Sequence, residues 1–203
     1  MKFSNILKHF ILITKHRLLV FNLCCRIGEP WRGFVHDLSK YSPTEFWEGV
    51  KYFTGTHSPI TECKKDIGYS KAWLHHKGRN KHHAQYWEDE ALEEKNVLIP
   101  YKYAAEMVCD KLAAGMIYNG KNFKNSSEIE YYLKERKIVS INTKIDNFLI
   151  ETFEYVQEHG VNDTLNKKNI MRLYNKNVYE KEDLKENNTI NNSERMLDLN
   201  IFM

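Results

Sequence analysis

Two histidine doublets, His75-His76 and His82-His83, lie in the stretch AWLHHKGRNKHHAQYW, seven residues apart and separated by a Gly-Arg-Asn turn. A solvated surface is usually built from lysine or glutamate, and a core from leucine. Neutral imidazole is the commonest metal ligand in proteins. The doublets therefore predict a metal site and raise the question of which carboxylates complete it.

Matching groups occur on three other segments of the chain. His36-Asp37 is an adjacent pair, and His16 and Asp110 each lie on a predicted helix face that is otherwise apolar. A buried histidine needs a hydrogen-bond partner, and a buried aspartate needs a cation or a metal. The apolar neighbours are Leu12, Val20 and Leu23 for His16, and Met107, Ala113, Ala114 and Ile117 for Asp110.

Each of these features alone has an ordinary explanation. A core histidine can bond to a backbone carbonyl, an adjacent His-Asp pair occurs by chance, and a helix aspartate often pairs with lysine. Their joint occurrence predicts a site of nitrogen and oxygen ligands suited to one or two divalent ions, namely manganese, iron, cobalt or zinc. A purely structural zinc site would more often use cysteines. The predicted ligands are His16, His36, Asp37, His75, His76, His82, His83 and Asp110.

Basic residues accompany the predicted ligands. Lys77, Arg79 and Lys81 lie at the corner between the doublets, and Lys40 lies one turn after the His-Asp pair. Such residues are either solvated loop charge or a clamp for phosphoryl oxygens, which guanidinium groups bind through two hydrogen bonds. Lys40 and Arg79 are the stronger candidates for a clamp.

Glu106 lies one turn before Asp110 on the same predicted helix. A carboxylate in that position can orient a metal ligand or act as a general acid, and the first role is favoured. The predicted catalytic residues are Asp37, Lys40, Arg79 and Glu106.

Helices must position these side chains, because apolar residues recur at intervals of three and four and no alternating strand pattern occurs. Ser42, Pro43 and Glu45 form a capping box at the start of the third helix. Asn80 is predicted to cap a helix whose first turn carries the second doublet. Including this third helix, the predicted helices before and after that one span residues 5–25, 31–41, 43–53, 60–78, 101–120, 128–136 and 143–160. The predicted fold class is all-α, without an internal repeat.

Composition limits the classes of function. The chain has 203 residues, a formal net charge of +3 and no concentrated basic face, which disfavours a nucleic-acid-binding protein. Its four cysteines form no CxxC pair and are predicted to be reduced in a cytoplasmic protein. Lys8, Lys15 and Arg17 interrupt the apolar N-terminal stretch, so no membrane segment is predicted.

The chain is long enough for one domain with its own apolar core. From about Asn175 onward, asparagine, lysine and glutamate dominate the composition. The predicted organisation is a metal-binding core over residues 1–125, C-terminal helices packed on that core over 126–174, and a mobile tail over 175–203.

The order of the predicted ligands resembles the H…HD…H…H…D pattern of the HD-domain metal-dependent phosphohydrolases. The stretch HDLSK is similar to the His-Asp-Ile-Gly-Lys signature of that superfamily, with Ser39 at the glycine position and Lys40 at the lysine, and VCDKLAA is similar to the segment that carries the final aspartate. More closely, GFVHDLSKYSPTEF, GYSKAWLHHKGRNKHHAQYW and AEMVCDKLAAGMIY resemble an uncharacterised family of small bacterial and phage proteins, over about residues 10–125.

The resemblance implies an HD-like core of five helices that holds one or two divalent ions, with Asp37 able to bridge them. The chain departs from the superfamily at the doublets, whose spacing is shorter than that usual between the middle histidines of two-metal members. Two arrangements stay open: a two-metal site, and a one-metal site of His16, His36, Asp37 and Asp110 in which the doublets contact the substrate.

The implied function is metal-dependent hydrolysis of a small-molecule phosphate ester such as a nucleotide, by a phosphomonoesterase or phosphodiesterase. The alternative is a non-catalytic, metal-stabilised binding protein, for example a phage or host interaction factor. An open coordination position distinguishes the two, because catalysis requires one and a structural site closes its ligand shell. Nucleic-acid binding through the C-terminal part of the chain has no motif to support it.

Overall fold

The computed structural model describes residues 3–180, and within them nine α-helices and several short helical turns form the fold. The α-helices are α1 (Phe3–Arg26), α2 (Pro30–Val35), α3 (Pro43–Lys51), α4 (Pro59–Ile67), α5 (Lys71–Lys77), α6 (Tyr101–Asn119), α7 (Ser127–Glu135), α8 (Thr143–Thr164) and α9 (Lys167–Asn175). In this part of the chain the only strand-like pairing is an isolated bridge between Glu88 and Asn96. The all-α prediction is confirmed.

Helices α1 and α6 form the centre of the fold. The buried stripe of α1 recurs at intervals of three and four, and α6 is buried on most of its circumference, including the small residues Ala104, Ala105 and Ala113. Helices α8 and α9 add Phe148, Phe153 and further apolar residues to the same core cluster. None of the described helices is both long and apolar enough to span a membrane.

Close packing between α1 and α2 depends on Gly33. A Cβ atom at this position would lie 2.7 Å from Cys24 Cβ and 2.8 Å from Phe21 Cα. The Arg17 side chain then ties the end of α2 to α1, since its Nε donates to the carbonyl of His36 at 2.7 Å and its Nη2 to that of Phe34 at 2.8 Å. The predicted ligands on the two helices are thereby held side by side.

The predicted second helix, 31–41, is interrupted in the structure. Helix α2 ends at Val35, Asp37 has a left-handed backbone (φ 51°, ψ 26°), and a 3-10 helix follows at Leu38–Tyr41. Neighbouring side chains diverge by about 100° around a helix. The interruption therefore allows His36 and Asp37 to reach the same point.

The predicted fourth helix, 60–78, is two helices, α4 and α5. Gly68 ends α4 in the left-handed conformation (φ 82°), and the Ser70 side chain caps α5 by accepting from the backbone amide of Trp73. The helix predicted after Asn80 is also wrong, because residues 78–83 form turns and only a 3-10 helix follows at Ala84–Tyr86. A C-terminal glycine and a serine cap within four residues favour two short helices over one.

The C-terminal helices share one apolar core with the N-terminal ones, as the predicted packing of residues 126–174 requires. The predicted start of a tail at 175 is wrong. A π-helix occupies Lys176–Glu180, Val178 is buried, and the Asn177 amide donates to Glu151 Oε2 at 2.8 Å. Val178 packs into the core beside α9. No sequence pattern indicated this burial, because the neighbouring residues are polar. The remainder of the predicted tail, 181–203, lies outside the described residues.

Replacing Gly33 tests the contact between α1 and α2. Gly33→Ala should lower the free energy of unfolding by about 1–3 kcal/mol, because the new methyl group meets backbone that cannot move aside. Gly78→Ala is the matched control, since its nearest atoms would be at 3.6 Å and its φ is not positive. Urea unfolding measures both, and equal stability of the two variants would contradict the close approach.

A buried carboxyl group on α7 makes a prediction about pH. Burial raises the pKa of Glu128 from 4.5 to about 8, with Asp110 and Glu135 adding to the rise and Lys111 opposing it. Between those values the folded chain keeps a proton that the unfolded chain releases, so the free energy of unfolding falls as the pH rises through this window.

Glu128→Gln should reduce this pH dependence and stabilise the protein at pH about 8, since it removes the charge and keeps the shape. Glu130→Gln, an exposed neighbour on the same helix, is the control and should leave the pH dependence as it is in the natural chain. Urea unfolding at pH about 5 and about 8 measures the difference. An unchanged slope in Glu128→Gln would show that Glu128 is ionised in the folded protein.

Candidate metal centre

A first group of ligand atoms comes from α1, the end of α2 and α6. His16 Nε2 lies 2.9 Å from Asp110 Oδ1 and 3.4 Å from His36 Nε2. His36 Nε2 lies 3.3 Å from both Asp110 Oδ1 and Asp37 Oδ2. All the candidate ligand atoms of this group are within 4.8 Å of one another. The group contains the four residues of the one-metal arrangement and is suited to one divalent ion.

A second group comes from α5 and the turn that follows it. Asp37 Oδ1 lies 3.3 Å from His76 Nε2 and 3.5 Å from His82 Nε2, and His76 Nε2 lies 2.9 Å from His83 Nε2. These atoms also lie within 4.8 Å of one another. Asp37 belongs to both groups and turns a different oxygen toward each. The geometry therefore suits two ions that share one carboxylate.

The backbone of Asp37 supports this shared role. Asp37 is the one residue other than glycine with a positive φ within residues 3–180. A left-handed backbone disfavours most side chains, although aspartate and asparagine tolerate it better. Strain of this kind occurs most often at functional sites, where the surrounding structure enforces it.

Three buried atoms at the junction of the two groups lack hydrogen-bond partners within the described part of the chain. They are Asp37 Oδ1 and both ring nitrogens of His82. Glu106 Oε1 is 3.2 Å from His82 Nδ1, but the direction does not make a hydrogen bond. An unsatisfied buried polar group costs about 1–3 kcal/mol. Of these, Asp37 Oδ1 and His82 Nε2 face each other at 3.5 Å, and a divalent cation bound there would satisfy both atoms.

The electrostatics of the groups also favour added positive charge. Burial lowers the pKa of His36, but the carboxylates of Asp37, Asp110 and Glu106 outweigh it and raise the pKa to about 10. Burial raises the pKa of Asp37, yet His36 and Lys40 hold it well below its usual range. The buried carboxylates thus require a cation among them, and in its absence a protonated histidine supplies the charge.

Two other histidines of the groups, His83 and His16, favour the uncharged form of imidazole. Burial and the neighbouring His82 and His76 hold the pKa of His83 well below its usual range. Burial also lowers the pKa of His16, although its hydrogen bond to Asp110 opposes the shift. Neutral imidazole presents a lone pair, which is the form that binds metal.

Two buried glutamates orient the histidines from outside the groups. Glu45 accepts from His76 Nδ1 at 2.7 Å and from His75 Nδ1 at 2.6 Å. Glu106 accepts from His36 Nδ1 at 3.0 Å and from Arg32 Nε at 2.7 Å. A carboxylate at Nδ1 turns the Nε2 lone pair of a histidine toward the metal position and increases its basicity.

Hydrogen bonds within the protein account for part of a third group of donor atoms. His36, His82 and Glu106 form another close group of donor atoms. The hydrogen bonds of Glu106 to His36 and Arg32 already use its oxygens. Because Glu106 is fully buried, its position favours the orientation of ligands over the predicted general-acid role.

The structure brings together seven of the eight predicted ligands. His75 is the exception: it follows the helical rotation of α5 away from His76, its side chain is partly exposed, and it meets only Glu45 among the site residues described here. His82 and His83 lie in a turn, so both rings reach the site.

The four predicted clamp residues are placed differently. Lys40 Nζ lies 2.7 Å from Asp37 Oδ2 at the edge of the site, and Asp37 and Asp110 raise its pKa despite burial, so it stays charged. Arg79 is exposed and donates to the carbonyl of His75 at 3.2 Å. Lys81 Nζ lies 5.6 Å from the ring centroid of Tyr103, and Lys77 lies near Lys64. Among these contacts, only that of Lys40 is to a residue of the two ligand groups.

Sequence reasoning missed two residues of the site. Glu45 matches the capping box, and its backbone amide does donate to Ser42 Oγ at 3.4 Å, but its side chain binds the first doublet. Arg32 donates to Glu106 from a helix with no other charged residue. The capping box already accounted for a glutamate at position 45, so there was no reason in the sequence to assign it to the site. No sequence signal pointed to Arg32.

The chain belongs to a family of unknown function, DUF5662, whose model matches residues 5–155. The predicted membership of an uncharacterised family is thereby confirmed. No curated protein and no solved structure matches the chain. The likeness to the HD-domain superfamily stays a prediction.

Metal binding should stabilise the folded protein and should depend on Asp37. Adding manganese, iron, cobalt or zinc to metal-stripped protein is expected to raise its melting temperature, because an ion that binds only the folded state stabilises it. Asp37→Asn should abolish the rise, since asparagine accepts the left-handed backbone but lacks the shared charge. A melting temperature that no ion changes in the natural chain would exclude the site.

The two ligand groups should also be separable. Glu45→Gln should lower the affinity for one of two ions by about 10–100-fold, because the amide cannot accept from both His75 and His76. The ion held by His16, His36 and Asp110 should remain. Metal content after dialysis and binding calorimetry measure the effect, with Glu62→Gln on α4 as a control. Loss of neither ion or of both ions together would contradict the two-group arrangement.

Proposed function

We propose that this member of DUF5662 is a metal-dependent phosphohydrolase acting on a small-molecule phosphate ester. The observation that carries the proposal is the pair of ligand groups that share Asp37, with the charged Lys40 beside the shared carboxylate. First-row divalent ions such as manganese, iron, cobalt or zinc suit the mixed nitrogen and oxygen donors.

The first ion would be held by His16, His36, Asp37 and Asp110, and the second by Asp37, His76, His82 and His83. Bound divalent ions lower the pKa of coordinated water and stabilise negative charge on phosphoryl oxygens. Glu106 and Glu45 keep the histidines oriented from behind, so the ligands need little rearrangement.

Access to the site is favoured at one edge. The Asp110 and His16 side chains are 17% and 10% exposed, and Lys40 is 27% exposed, while His36, Asp37, His76 and His82 are nearly inaccessible. A phosphoryl group approaching this edge would meet the Lys40 ammonium. The charge of Lys40 offsets that of the phosphate and positions it, a role that lysine fills at many phosphate sites.

The proposal extends to substrate and location. A nucleotide is the favoured phosphate ester, and the predicted clamp of Lys40 and Arg79 would bind its phosphates. The cytoplasm is the favoured compartment, since Cys24, Cys25, Cys63 and Cys109 are all unpaired.

A second candidate function has its own observation. Each ligand group supplies four protein donors, and a closed set of four is typical of structural metal sites. The alternative is therefore a metal-stabilised binding protein without turnover. It differs from the hydrolase in having no position left for water.

Metal-loaded protein should hydrolyse at least one member of a panel of nucleoside mono-, di- and cyclic phosphates and a chromogenic diester. His36→Ala and Asp110→Ala should remove activity together with bound metal. Lys40→Met should keep both ions and lower kcat/KM by about 10–100-fold, because it removes a charge that stabilises the phosphoryl group. Lys134→Met, on the exposed face of α7, is the matched control.

Arg79→Ala decides between the two interpretations of the corner residues. A raised KM with retained metal would show that Arg79 binds substrate, whereas unchanged kinetics would show solvated charge. Fully metal-loaded protein that hydrolyses nothing in the panel would favour the binding-protein function.

A further inference from the structure

Helix α1 has a second apolar face, opposite the one that carries His16 into the core. Leu7 and Leu18 are 61% and 59% exposed, and Ile11 is exposed beside them. Large apolar residues grouped on a surface indicate an interaction site. No other described element covers them.

The residues of this face follow a heptad spacing. From Leu7 the intervals alternate between four and three, and the positions, which we name the outer seam of α1, are Leu7, Ile11, Thr14, Leu18, Phe21 and Cys25. A seam with this period is the pattern by which one helix packs along another in a coiled coil.

Helix α2 widens the apolar face on one side of the seam. The rings of Trp31 and Phe34 are stacked, with centroids 5.8 Å apart, and both are more than half exposed. Gly33 lies against Phe21 and Arg17 donates to the carbonyl of Phe34, so α2 packs beside the C-terminal half of the seam. Exposed aromatic side chains of this kind are the residues that most often anchor a bound partner.

The charged residues that α1 places beside the outer seam are all basic. Lys8 and Lys15 are exposed and directly follow the seam residues Leu7 and Thr14. Helix α1 contains four lysine or arginine residues and no aspartate or glutamate. A second copy of the chain would place the same basic border against itself, which costs affinity.

We propose that the outer seam of α1 binds an acidic amphipathic helix of a partner protein. Leucine or isoleucine at heptad positions of that helix would fill the seam, and glutamate or aspartate beside them would meet Lys8 and Lys15. The heptad spacing of the seam, with Trp31 and Phe34 beside it, matches the side-chain ridge of a helix, whereas a lipid surface requires no such register.

Two synthetic helical peptides test this proposal on the full chain. Both carry leucine and isoleucine at the heptad positions, and they differ only in having glutamate or lysine at the flanking positions. The glutamate peptide should bind at least about tenfold more tightly in calorimetry, and the double variant Lys8→Glu, Lys15→Glu should reverse this preference. Leu18→Glu should abolish binding, whereas Ile138→Glu, at a residue that is also exposed, should have no effect.

Melting temperatures of the variants show whether each is folded. The proposal is overturned if neither peptide binds at about 1 mM, or if both bind equally. Sedimentation with phosphatidylglycerol vesicles would overturn it in favour of a lipid surface if the chain binds vesicles through Leu18 and binds neither peptide. A dimer in sedimentation equilibrium that Leu18→Glu dissociates would overturn it in favour of a second copy.

Discussion

The buried carboxylate of Asp37 is the group on which the rest of the site depends. It is almost inaccessible, one oxygen faces His36 and Lys40, and the other faces His76 and His82. A charge in the protein interior is tolerated only with opposite charge and hydrogen bonds around it. The histidines, the lysine and the left-handed backbone are arranged to meet that requirement, and a divalent cation would meet it more completely than a protonated imidazole does.

Close helix packing makes this arrangement possible. Gly33 allows α2 to lie against α1, and Arg17 binds the backbone at the end of α2, which places His36 beside His16. Glu45 and Glu106 then fix the rings of His76 and His36 through their Nδ1 atoms. Rigid orientation of this kind is common to catalytic and structural metal sites. The distinction between hydrolase and binding protein therefore rests on whether water and substrate could reach bound ions past Asp110.

Helix α1 has two apolar surfaces, one buried and one exposed. The inward face contributes His16 to the candidate metal centre, and the outer seam exposes Leu7, Ile11 and Leu18 to the proposed partner. A helix that is apolar on two opposite sides is normally buried on both. The acidic partner helix that we infer would cover the outer seam without touching the ligand groups, so the proposed partner binding and the proposed catalysis do not depend on each other.

The sequence by itself determined the helical class and the candidate ligands, because apolar periodicity is local and because His16 and Asp110 lie on faces that must be buried. It could not determine which member of each doublet lies among the other candidate ligands. That depends on the backbone: α5 turns His75 away from His76, whereas the turn after it points His82 and His83 the same way. Glu45 and Arg32 also escaped prediction. Their partners are distant in sequence, and only tertiary packing brings Glu45 to His76 and Arg32 to Glu106.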